Sequence, residues 1–393
     1  MCSGDSSKNR VVRNASMTAV TKIKTAKILY NARFWAAISV LYMMSRGFTA
    51  GEAFFIGGWY YFFSLVLEYP TGVIGDRFSH RLSVTLGYFV LAASFFLITF
   101  DGSIWYYLCV FFVLALGETL TTGSDAALLY AASPNYAQDY SEVKSYGTVV
   151  AFAAVSLGGV VASYDLRYPY YLTVATLFVA AWFVWSSGIK SKASHSGNVF
   201  EIAREGIRHI FSQKILFHLL FLSALAGGIF YGYKWMYNPL FLAMNLPVAS
   251  WGFISGISIL LVAAGALFYR FFPDVSFLFM SILLALFLSL AGTTMIIPVA
   301  ILGLFFIHII RGYFETKIHV EINARIGESV RASILSLGNL FIRLGTMLFL
   351  GFAGLALDFH ISLFLILTAT AITFLILGGY SLFFLKRFDV KGV

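Results

Sequence analysis

The sequence predicts an all-α polytopic membrane protein, with twelve transmembrane helices arranged as two six-helix pseudo-repeat halves. Three observations predict it: an apolar composition, twelve apolar stretches of spanning length, and a one-sided distribution of Lys and Arg. Of 393 residues, 60% are hydrophobic and 11% charged, whereas a soluble chain averages about 45–50% apolar and about 25% charged. No water-soluble fold of this length has an interior that would bury so much apolar surface, and lipid is the natural solvent for it. A spanning helix needs about 20 mostly apolar residues. Such stretches run over 28–46, 52–74, 82–100, 104–131, 146–163, 169–187, 215–243, 249–271, 275–293, 296–321, 330–354 and 361–385.

Taken in order, residues 1–25 are polar and aperiodic, the pattern of a disordered tail. The apolar run that follows continues as a long helical pattern without a small-residue cleavage site, so it is not a convincing signal peptide. The first bundle spans 26–187, and its short connections make sequential helices antiparallel neighbours. Residues 188–214 are polar and basic, and they separate the second bundle with its short tail, 215–393. Within this middle segment Phe200, Ala203, Ile207, Ile210 and Phe211 share one helical face, and Glu201, Arg204, Glu205 and Arg208 the other. That pattern suits a helix lying on the membrane surface or a linker helix packed on the protein. The two cysteines, Cys2 in the tail and Cys109 in an apolar run, imply no disulfide framework.

A formal charge of +9 raises nucleic acid as a partner. The placement of the charges points to membrane topology instead. With residues 1–25 inside, all but six of the 27 Lys and Arg fall in cytoplasmic segments. Arg46 and Arg167 lie on the opposite side, and Arg33, Lys234, Arg311 and Arg343 lie within spans. The positive-inside rule requires such a split, and miscounting one span would reverse it downstream. Both termini are therefore expected in the cytoplasm, with the chain in the cell's inner (plasma) membrane. No nucleic-acid partner and no cofactor is expected.

The loop after the second span reads Glu68-Tyr-Pro-Thr-Gly72-Val-Ile-Gly75-Asp76-Arg77-Phe-Ser79-His80-Arg81. It resembles the signature loop of the major facilitator superfamily, and Gly72, Asp76, Arg77 and Arg81 match. Ser79 stands where the family usually has Gly, and His80 where it usually has Arg or Lys. The Glu68–Gly72 lead-in, Gly123–Tyr130 and the stretch from Asn323 through Leu337 look like a bacterial branch rich in drug exporters. The resemblance covers about residues 26 to 387. It implies a conformational latch at Gly72, Asp76, Arg77 and Arg81, with alternating access driven by a proton gradient. It also implies export of a hydrophobic or amphipathic small molecule, as an antiporter. Physically, Gly72 permits close approach of two helices, Asp76 can cap a helix N-terminus, and Arg77 and Arg81 can pair with carboxylates or anionic headgroups. There are departures. Leu120 stands where proton-coupled exporters often carry an Arg, and Leu157-Gly158-Gly159 lacks the family's helix-5 proline. In the second half, Tyr269 replaces the Asp of a degenerate latch at Gly265–Arg270.

A charge at the bilayer centre costs roughly 2.5–3.5 kcal/mol on insertion scales, so it normally faces protein or a water-filled cavity. Arg33, Glu118, Asp125, Lys234, Arg311 and Glu315 lie in spans 1, 4, 7 and 10, the four that line the central cavity in the resembled fold. Arg343, in span 11, is the outlier. Glu118 and Asp125 are seven residues apart, which is one face of a continuous helix. Arg33 is placed near the depth of Asp125. Arg311 and Glu315 can pair as i, i+4. Burial favours a protonated carboxyl and a nearby Arg the carboxylate, so Glu118 or Asp125 can load and unload a proton as its surroundings change. Fixed ion pairs holding helices together are the alternative for both.

Lys234 sits among Tyr231, Tyr233, Trp235, Met236 and Tyr237, just before Asn238-Pro239. Aromatic rings can hold its ammonium, and the proline can bend the seventh span. Such a segment contacts an amphipathic substrate, or it is a set of interfacial aromatics. Other classes lack their motifs. There is no His-Glu-x-x-His zinc site, no Cys/His ligand cluster and no Gly-x-x-x-x-Gly-Lys-Ser/Thr loop, so neither a metalloenzyme nor an ATP-driven pump is indicated. His308 and His319 are eleven residues apart with no third ligand. Nutrient or metabolite uptake, flipping of a lipid-like molecule, and a non-transporting receptor remain open. The expected partners are a small-molecule substrate, a proton and the bilayer, with the chain a monomer.

Overall fold

A computed structural model describes residues 18–77, 79–189, 208, 210, 212–293, 296–326 and 328–389. Apart from Arg208 and Ile210, the predicted helix in the middle segment lies outside these, as do residues 1–17 of the predicted tail. Every regular element among the described residues is helical. Ten helices are long and apolar enough to cross a membrane, and a shorter apolar helix covers Phe277–Ala291.

The elements are α1 (residues 18–30), a 3₁₀ turn Phe34–Ala37, α2 (Ser39–Ser45), α3 (Ala50–Arg77), α4 (His80–Ile98), α5 (Ile104–Thr121), α6 (Ser124–Ala132), α7 (Tyr136–Ala162) and α8 (Tyr168–Ser186). After the middle segment come α9 (Lys214–Tyr233), a 3₁₀ turn Lys234–Met236, α10 (Tyr237–Ala243), α11 (Val248–Phe271), α12 (Phe277–Thr293), α13 (Ile297–Asn323), α14 (Glu328–Asp358) and α15 (Leu363–Asp389). Two compact units result: Met1–Ala36 with Val66–Ser196, and Ala37–Leu65 with Gly197–Val393. In the first, α4 packs on α5 and α8; in the second, α9 packs on α14, α11 on α13, and α12 on α15 and α13.

Residues 18–25, which composition alone assigns to the tail, are the first turns of α1. Ala19, Val20, Ile23 and Ala26 are buried there, at helical spacing. The first predicted span is not one helix, because it breaks over 31–38. The Asn31 side chain causes this locally. Its amide donates to the Lys27 carbonyl at 2.8 Å, while its own backbone N–H turns to Ile28 at 3.1 Å. A side chain has taken the place of the helical donor. Within the same unit, α7 approaches the break through Gly147, where a Cβ would crowd the Asn31 amide, and Gly158, where it would overlap the Phe34 carbonyl oxygen.

The stretch 104–131 is also interrupted. Thr122 closes α5 on the Glu118 carbonyl, and Gly123 has φ +80°, a left-handed conformation that glycine adopts without Cβ strain. The seventh span tightens to 3₁₀ geometry over Lys234–Met236. Pro239 has no N–H for the Trp235 carbonyl four residues earlier, which accounts for the tightened turn. In α7, which starts ten residues before its apolar stretch, Asn135 accepts from the Gln138 N–H and caps a polar first turn.

Candidate functional site: two charged clusters on membrane helices

The first cluster belongs to the first unit. Arg33 lies in the break after α1, outside regular helix, and its Nη2 donates to Glu118 Oε1 at 3.3 Å and to the Tyr30 hydroxyl at 2.7 Å. Tyr30 stacks on the buried Tyr88, with ring centroids 5.3 Å apart. Glu118 sits in the last turn of α5. One step toward the chain's start, Lys27 Nζ meets Asp125 Oδ2 at 2.9 Å. Asp125 lies in the first turn of α6, where the helix dipole also favours a carboxylate. The two carboxylates thus have different cations, and Arg33 is the partner of Glu118 rather than of Asp125. Placing Arg33 at the depth of Asp125 assumed an unbroken first helix, and sharing of one face by Glu118 and Asp125 assumed an unbroken fourth span. Both are interrupted.

Lys27 is the residue that sequence reasoning missed. It counts as a topogenic charge by position, yet it is buried. A signal was present, because Lys24, Lys27 and Asn31 recur at i, i+3, i+7, which places them on one helical face. Lys24, ahead of the predicted span, bonds Asp139 at 2.7 Å and also Glu142. Partial desolvation pulls the Lys24 ammonium down, but the two carboxylates outweigh this and hold its pKa above the usual lysine value.

The second cluster belongs to the second unit, on α9, the turn after it, and α13. Arg311 is buried at 4% exposure. Its Nε donates to Glu315 Oε1 at 2.8 Å, the i, i+4 pair expected from spacing. Its Cζ lies 4.6 Å from the centre of the Tyr231 ring, and Lys234 Nζ lies 5.3 Å from the same ring. One turn before Arg311, His308 bonds the Tyr237 hydroxyl through Nε2. Asn238, beside Tyr237, reaches back to the first span. It donates to the Ala37 carbonyl and accepts from the Leu41 N–H, both at 2.8 Å. These are backbone groups that the break leaves without helical partners. Arg343, the charge in span 11 outside these clusters, donates from Nη1 to the Ser64 carbonyl of α3 at 2.8 Å.

The latch residues are placed unevenly. Gly72 and the backbones of Asp76 and Arg77 end α3, and Arg81 opens α4 with its guanidinium 5.4 Å from the Trp185 ring of α8. The side chains of Asp76 and Arg77 lie outside the described set. The close helix approach expected at Gly72 is made at Gly75 instead. Among the described residues a Cβ at Gly72 meets nothing within 4 Å, whereas one at Gly75 would crowd Ser124 Oγ at the start of α6.

A sequence profile described as Major Facilitator Superfamily matches residues 28–350. No curated protein matches the chain in sequence. Solved transporter structures share its fold. The nucleoside transporter NupG aligns at 14% identity and TM-score 0.74, covering 94% of this chain and 96% of that one. A bacterial homolog to the human lysosomal transporter Spinster, inward-facing and occupied, aligns at 14% identity and TM-score 0.76, covering 96% and 98%. The POT family transporter PepTSo aligns at 12% identity and TM-score 0.73, covering 95% and 98%. At these identities the likeness is one of fold.

Proposed function

This chain belongs to the major facilitator superfamily, and from that premise we propose that it is a secondary active transporter that exports a hydrophobic or amphipathic small molecule, driven by a proton gradient. The mechanism is alternating access about a site near the bilayer midplane. The observation that carries the proton role is the Arg33–Glu118 pair. It is a carboxylate whose one guanidinium contact among the described residues is long, at 3.3 Å, its side chain 21% exposed, within an apolar stretch of spanning length. Such a carboxylate can exchange its cation for a proton when its surroundings change. Arg33, Glu118, Asp125, Lys234, Arg311 and Glu315 form the transport site in this reading, and Gly72, Asp76, Arg77 and Arg81 the conformational latch.

The topology in this reading has twelve spans. The broken first span and the short helix at Phe277–Ala291 join the ten long helices. Both termini lie in the cytoplasm of a cell with the chain in its inner membrane, and the working unit is a monomer. Purified protein in liposomes, with proton or sodium gradients imposed and a panel of dyes, drugs and metabolites as substrates, tests the reading. Gradient-driven movement of an amphipathic compound supports it. Ligand binding without movement of any compound favours a receptor on the same fold.

A further inference from the structure

Among the buried polar atoms of the described residues, Nη1 of Arg311 makes no hydrogen bond. Arg311 is 4% exposed, and its only described carboxylate partner, Glu315, takes Nε. A buried guanidinium with an unused N–H is costly unless something supplies an acceptor. A second cation stands nearby, because Lys234 and Arg311 approach one Tyr231 ring at 5.3 Å and 4.6 Å. His308, on the face of α13 that carries Arg311, also has a buried ring atom without a partner, Nδ1. Two cations sharing one tyrosine ring, with an unsatisfied buried nitrogen on Arg311 and another one turn away on His308, match one kind of ligand group. It is an oxyanion, which accepts charge-assisted bonds from Arg and gains from the neighbouring ammonium.

We infer that Arg311, with Lys234 and Tyr231, forms an anion subsite, and that the substrate is an amphipathic organic anion carrying a carboxylate or phosphate. This rests on the transport reading and narrows its substrate class. Glu315 then acts as the internal competitor, holding the Nε edge of the guanidinium in place. Its removal is expected to strengthen anion binding. A merely structural ion pair would respond to the same change only by loss of stability.

The test uses the purified full chain in neutral detergent, with thermal stability titrated by octanoate, octyl phosphate and the uncharged octanamide. Octanoate or octyl phosphate is expected to bind at least about tenfold more tightly than octanamide. Arg311→Gln removes the preference, Lys234→Gln weakens it, and Glu315→Gln tightens anion binding several-fold. Arg311→Lys retains the charge and part of the preference, which separates loss of binding from loss of fold. Equal affinity for octanoate and octanamide in the wild type overturns the subsite. So does an unchanged preference in a well-folded Arg311→Gln protein. Liposomes loaded with octyl phosphate then separate the two readings. Binding of octyl phosphate without its movement under any imposed gradient keeps the subsite and sinks transport. Gradient-driven movement of octanamide but not of octyl phosphate keeps transport and sinks the subsite.

Discussion

Arg33 and Glu118 meet at 3.3 Å, longer than the 2.8 Å of the Arg311–Glu315 bond. Charge-assisted bonds to carboxylates usually measure about 2.7–2.9 Å, so the Arg33 pair is the weaker of the two. Arg33 also leans on Tyr30 through a hydrogen bond and a ring contact 4.8 Å from the centroid. The guanidinium therefore keeps a resting place when Glu118 is neutral. In the proposed transport reading, that asymmetry singles out Glu118 over Glu315 as the proton-exchanging carboxylate.

Glu118→Gln is accordingly expected to abolish stimulation of transport by an imposed pH gradient while substrate binding persists. The measurement is accumulation in liposomes with and without the gradient, beside a binding titration. Full gradient-driven accumulation in the Gln variant would remove Glu118 from the proton role.

Asp125 has the opposite character. Its partner Lys27 is buried, and the pair is close, at 2.9 Å. Removing one member of a fully buried pair costs about 3–5 kcal/mol. Asp125 is a quarter exposed, so Asp125→Asn is expected to cost less, about 1–3 kcal/mol. Lys27→Met combined with Asp125→Asn should recover most of that loss. Thermal unfolding of the two single variants and the double variant measures the coupling. A double variant as unstable as the sum of the singles would show that the pair contributes nothing of its own.

How far the site was legible follows from where the helices are regular. Within α13 the helix is continuous, and the spacing of Arg311 and Glu315 alone gives their pairing. In the first and fourth spans, residue spacing gives position only if each is one ideal helix. Asn31 and Gly123 break both, so Lys27 rather than Arg33 falls opposite Asp125. The Asn31 break was not visible in hydropathy, since residues 34–45 stay largely apolar across it. The 3₁₀ turn before Pro239 has a cause legible in the sequence, because proline lacks the N–H that the Trp235 carbonyl needs. Long-range placements such as Arg343 on the Ser64 carbonyl leave no periodic trace. Two residues 279 apart in sequence meet there only through the fold.

The Asn238 side chain offers a third expectation. It serves the Ala37 carbonyl and the Leu41 N–H together. Asn238→Ala strands both, at a cost of about 1–3 kcal/mol by soluble-protein measure and nearer about 0.6–2 kcal/mol among membrane helices. Asn238→Asp keeps an acceptor for Leu41 but sets oxygen against the Ala37 oxygen, and is expected to be at least as harmful. Melting temperatures of the two variants decide it. An Ala variant as stable as wild type would mean that water replaces the side chain at no cost.

The close crossing of α11 and α13 in the second unit gives the last expectation. A Cβ at Gly265 of α11 would overlap the Ile309 carbonyl oxygen of α13, and one at Gly312 of α13 would overlap the Val262 carbonyl oxygen of α11. Each glycine is the gap that admits the other helix, and backbone, unlike a side chain, cannot turn aside. Gly265→Ala and Gly312→Ala should each destabilise by about 1–3 kcal/mol, the range for overpacking. Because both act by pushing one pair of helices apart, the double variant should lose less than the sum of the singles. Gly72→Ala, where a Cβ meets nothing within 4 Å among the described residues, is the control. There alanine should raise helix stability slightly. Thermal unfolding in one detergent compares all four, and loss at Gly72 equal to that at Gly265 would refute the packing argument.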